Sequence, residues 1–134
     1  MTGQRDELPA EVLSFIHQRI DSVEQLQILL LLVQDPCAQW TIERISRELR
    51  SSSASVQKRI GDLCARKVLA PEAVSDTGEI RFLAFDADVD QLVRELSGIF
   101  RHRPHRVIAQ IFAKPSPSLR SFADAFKLKK DDPS

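Results

Sequence analysis

The chain has 134 residues, 43% hydrophobic and 28% charged, with 19 basic residues balanced by 19 acidic ones. That is enough for one globular domain with a real core, and the composition argues against wholesale disorder. The longest unbroken apolar run, residues 28–33, falls far short of the roughly 18 residues a membrane span needs, and "MTGQRDELPAEV" has no apolar stretch of the secretory type.

Val12, Ile16 and Ile20 recur every fourth residue, with Leu13 and Phe15 beside them, which predicts an N-terminal helix over 9–20. Ser22 precedes Gln25 by three residues, a capping-box spacing, and the helix it opens, "VEQLQILLLLVQ", becomes apolar all round, as a centrally packed helix is. "DPC" stops it, because proline disfavours helix in the residue before it. Thr41 is placed to cap a helix over 41–49 with Ile42, Ile45 and Leu49 on one face. "RSSSAS" makes a corner, and a helix over 53–66 follows with Val56, Ile60 and Leu63 inward.

"VLAPEAV" and "EIRFLAF", separated by "SDTG", read as a β-hairpin with Ile80 and Phe82 on its inner face. Asp88 with Gln91 suggests the start of another helix carrying Val89, Leu92, Val93, Leu96 and Phe100. Pro104 interrupts it within "RHRPHR". "HRVIAQIFA" resumes the helical pattern, and "LRSFADAFKL" spaces Leu119, Phe122 and Phe126 as an amphipathic stripe. The expected organisation is an N-terminal helix (1–21), a core (22–85) and a helical extension (86–134) within one compact unit.

Charge is unevenly spread. Residues 1–50 hold five basic and eight acidic residues, whereas 101–130 hold eight basic residues and the single acid Asp124. Cys37 and Cys64 match no zinc spacing, and His102 and His105 flank Pro104 without a neighbouring cysteine or carboxylate. There is no glycine-rich phosphate loop and no nucleophile motif, so neither an enzyme nor a metal or cofactor site is expected. The expected location is cytoplasmic, with both thiols reduced.

Helix, helix, helix, hairpin, helix is the order of a winged helix-turn-helix, and residues 22–85 resemble that superfamily. The long flanking helices make the chain most similar to MarR-type bacterial transcriptional regulators. The resemblance implies a mainly α fold with a small β-hairpin wing, a positioning helix at 41–49 and a recognition helix at 53–66. It further implies a regulator that binds double-stranded DNA as a homodimer through its terminal helices. Ser53, Ser55, Gln57, Lys58 and Arg59 would then face the DNA, with Arg81, Arg101 and Arg103 on phosphates.

Two features depart from that pattern. Lys67 stands where such regulators often carry glycine, and the wing tip offers Asp76, Thr77 and Glu79 where cations are usual. Ala54, Gly61 and Ala65 also give the recognition helix a small-residue face with Asp62 among them. These features support the alternative, a winged-helix module that binds another protein and not DNA, using Leu119, Phe122 and Phe126 for docking.

Overall fold

A computed structural model describes residues 8–113. Six α-helices follow one another: α1 (Ala10–Arg19), α2 (Val23–Gln34), α3 (Ile42–Leu49), α4 (Ser53–Ala65), α5 (Ala87–His102) and α6 (Pro104–Ala113). The stripe Leu119, Phe122, Phe126 lies outside the described residues.

The helix ends follow local chemistry. The Ser22 hydroxyl accepts the Gln25 amide. The Gln25 side chain accepts from the Asp21 amide at 2.8 Å and donates to the Arg19 carbonyl at 3.1 Å. Gln25 is fully buried, and these bonds let it be so without an orphaned polar group. Thr41 caps α3 through the Arg44 amide. Asp86, two residues earlier than the Asp88 the sequence suggests, caps α5 through the Val89 amide.

α2 is the hub, as its all-round apolar sequence requires. Leu26, Ile28, Leu29 and Leu32 are fully buried. On one side α2 packs against α3 and α4, and on the other against α5, which in turn carries α1 and α6. One hydrophobic cluster runs through all six helices, from Leu8 to Ile111.

The expected β-hairpin does not form, and the winged helix-turn-helix expectation is corrected accordingly. Among the described residues there is no strand, only the isolated antiparallel bridges Trp40–Ile80, Leu69–Ala84 and Val74–Ile80. The cause is the 3-10 turn that Pro71 opens over Pro71–Ala73, which takes the Ala70 carbonyl for the Ala73 amide and so removes it from the pairing. Before the turn, Phe85 donates to Val68 and Ala70 to Leu83; after it, Arg81 donates to Ala73 and Ser75 to Glu79. The turn thus shifts the pairing by one residue and breaks the ladder. The result is an irregular arm that buries Val68, Leu69, Ala73, Ile80 and Phe82. It is tied to the start of α3 by reciprocal backbone bonds between Trp40 and Ile80, 2.7 and 2.6 Å long.

Candidate nucleic-acid interface

α3 and α4 form a helix-turn-helix whose corner is built from backbone geometry. Arg50 takes the left-handed conformation (φ 55°) and ends α3. The Ser51 amide and the Ser46 hydroxyl then cross-link the corner, donating to the Ser46 and Ser51 carbonyls respectively. Ser52 caps α4 by accepting the Ser55 amide at 3.1 Å. Val56, Ile60 and Leu63 are buried against α2 and α3. The opposite face, Ser53, Ala54, Gln57, Lys58, Gly61 and Ala65, is exposed.

α4 leaves through a cap that normally calls for glycine. The Val68 amide reaches the Leu63 carbonyl at 2.9 Å and the Lys67 amide reaches that of Cys64 at 3.1 Å, the bond pair of a Schellman motif. Lys67 sits at its left-handed position with φ 61°. α1 buttresses this exit. Arg19 donates to the Lys67 carbonyl, and Arg66 donates to the Gln18 carbonyl and to Asp21. The departure at Lys67 is therefore accommodated by backbone strain. Cys64, one turn back, is half-buried, and burial pushes its thiol up, away from nucleophilic character.

The structure divides the residues expected to face DNA. Ser53, Gln57 and Lys58 project outward, and among the described residues no hydrogen bond or ion pair engages their side chains. Ser55 and Arg59 turn back to α2. The Ser55 hydroxyl donates to Glu24 at 2.6 Å, Arg59 Nε donates to the same oxygen at 3.1 Å, and Arg59 also reaches Asp62 at 3.4 Å. The Ser55 hydroxyl holds the Glu24 carboxyl below its ordinary range, against the opposing effect of burial, with Ser51 and Arg59 contributing further. Ser55 and Arg59 thus fix α4 to the hub.

Arg81 is exposed on the irregular arm, and its backbone is committed to Ala73. Arg101 and Arg103 lie at the α5–α6 junction. The principal neighbours of α6 are α1 and α5, whereas those of α4 are α2 and α3.

Arg47 and Arg50, which sequence reasoning passed over, are exposed at the helix-turn-helix corner. The signal for Arg47 was its position three residues after Arg44, whose own guanidinium stacks on Trp40 at 4.3 Å. The balance of charge points to the same unit. Residues 36–70 carry seven basic and three acidic side chains, a local excess of +4 in a chain of zero net charge.

No family model, curated protein or solved structure matches the chain. Among the described residues, no helix is long and apolar enough to cross a membrane.

Proposed function

We propose that the chain is a DNA-binding regulator that contacts duplex DNA with the exposed face of α4, without a wing. The observation that carries this reading is the unengaged face of Ser53, Gln57 and Lys58 beside Arg47 and Arg50, within residues 36–70 and their excess of +4. The small side chains of Ala54 and Gly61 let the helix approach a groove closely, and no neighbour would contact a Cβ added at Gly61. Ser53 and Gln57 supply hydrogen-bonding groups for base edges, while Lys58, Arg47 and Arg50 supply phosphate contacts. Two copies related by a two-fold axis would present two such helices to half-sites about one helical turn apart.

Fluorescence anisotropy with mixed-sequence duplex, repeated across a salt series, tests this. The logarithm of affinity is expected to fall linearly with the logarithm of salt, by about 0.9 per phosphate neutralised. Lys58→Ala should reduce that slope by about 1. Arg101→Ala should leave it unchanged. A protein-docking role for the same face is favoured by one observation, the retention of Ser55 and Arg59 by Glu24. Absence of DNA binding at low salt would decide for that role.

A further inference from the structure

Which bases α4 can read follows from which of its side chains the fold has already engaged. α4 holds one arginine, Arg59. Its Nε donates to the Glu24 carboxylate of α2 at 3.1 Å, and its Nη1 reaches Asp62 at 3.4 Å. Arg66, just past the end of the helix, donates to the Gln18 carbonyl and to Asp21. Each guanidinium is therefore held by a carboxylate of the fold itself. Arginine is the commonest reader of guanine, bonding O6 and N7 together, and α4 has no uncommitted guanidinium to do so. Arg47 and Arg50 stand before α4, on α3 and its cap.

The outward side chains carry a different code. Ser53 and Ala54 lie four and three residues before Gln57, so the three share one side of the first turns of α4. All three are exposed among the described residues. The N-terminal turns are the part of a groove-bound helix that meets base edges. Gln57 presents an acceptor oxygen and a donor NH2 side by side. Adenine offers the matching pair, an N6 donor and an N7 acceptor, whereas guanine offers two acceptors and would face the glutamine oxygen with one of them. The Ala54 methyl suits the methyl group of thymine, and the Ser53 hydroxyl bonds either base. Lys58 stands about 100° further round the helix, which turns its ammonium toward the flanking phosphates when Gln57 meets a base.

We propose that α4 selects adenine–thymine pairs in the major groove, with Gln57 on adenine N6 and N7 and Ala54 against a thymine methyl. Glu24 is the positioning residue of this selection, because it withholds the guanidinium of Arg59, which would favour guanine. The inference rests on the DNA-binding reading and names the class of sequence that this surface takes. Affinity and selectivity then come from different side chains. Lys58, Arg47 and Arg50 bind the backbone of any duplex, while Gln57 and Ala54 distinguish one base pair from another.

Anisotropy titrations of the full chain with three labelled duplexes, each about two helical turns long, test it. One has a mixed A·T sequence, one a mixed G·C sequence, and in the third every pair is inosine–cytosine. Inosine–cytosine shows the major-groove edge of G·C and the minor-groove edge of A·T, so it separates major-groove reading from minor-groove and shape effects. The A·T duplex is expected to bind roughly tenfold tighter than the other two at equal salt. Gln57→Ala should cut that preference to about twofold or less at an unchanged melting temperature. Gln57→Arg should turn the preference toward G·C and inosine–cytosine, and Lys58→Ala should weaken all three duplexes alike. Equal affinity for A·T and G·C overturns the proposal and leaves DNA binding standing. The same holds for an inosine–cytosine duplex that binds as the A·T duplex does, and for a preference that survives Gln57→Ala. No binding to any duplex overturns the selection and the DNA-binding reading together.

Discussion

Lys67 holds a left-handed conformation that costs an L-residue about 1–2 kcal/mol, and it does so because the Schellman bonds and the Arg19 contact to its carbonyl fix the backbone there. Removing the Cβ relieves the strain. Lys67→Gly is therefore expected to raise the unfolding free energy by about 1 kcal/mol in urea titration, less the small cation–π contact of its amine with Phe85 at 5.9 Å. Lys67→Val should lower stability instead.

Glu24 works in the opposite sense, as a stabilising anion. Its folded-state pKa lies below the unfolded-state value, so its contribution is complete above about pH 4.3 and is lost as pH falls through the lower folded value. Glu24→Gln should cost about 1 kcal/mol at neutral pH, and the gap to the wild type should close in acid. A gap independent of pH would mean that the carboxylate charge is not what Ser55 and Arg59 hold.

At the scale of elements, capping chemistry decides where α5 begins. Asp86→Ala should cost about 1 kcal/mol in dilute protein, because the Val89 amide loses its acceptor, while Asp88→Ala should cost much less. The sequence points to Asp88 because Gln91 stands three residues on, a capping-box spacing that Asp86, followed by Val89, lacks. Helices α1, α4 and α5 were readable because they carry their buried residues at three- and four-residue spacing: Val12 and Ile16, Val56, Ile60 and Leu63, Val89, Val93 and Leu96. The hairpin was misread for an equally local reason. The β-leaning composition of "VLAPEAV" and the turn residues of "SDTG" suit a ladder, but the turn that Pro71 opens takes the Ala70 carbonyl out of the pairing and breaks it. The fate of Ser55 and Arg59 had no local signal at all. Their partner, Glu24, lies 31 and 35 residues away and faces them only after α2 and α4 have packed.

For the whole molecule, α2 separates two surfaces with different electrostatics. The helix-turn-helix side gathers cations at Arg47, Arg50 and Lys58, while the α1–α5 side carries an acidic end and a basic end along one helix. A chain with zero net charge can still steer an anionic partner to the first of these, since a cluster of like charges creates its own local potential. The order of helices made the α3–α4 pair visible in the sequence. The basic excess of residues 36–70 became meaningful only once α3 and α4 were seen to share one corner, while Arg101 and Arg103 lie at the α5–α6 junction.

The most direct test of the central claim is a map of backbone amide chemical-shift changes on adding a mixed-sequence DNA duplex at low salt. The account predicts that the largest changes fall on residues 47–58, at the α3–α4 corner and the first turns of α4, and that they fade as salt is raised. No changes at low salt, or changes confined to the α5–α6 junction, would contradict it.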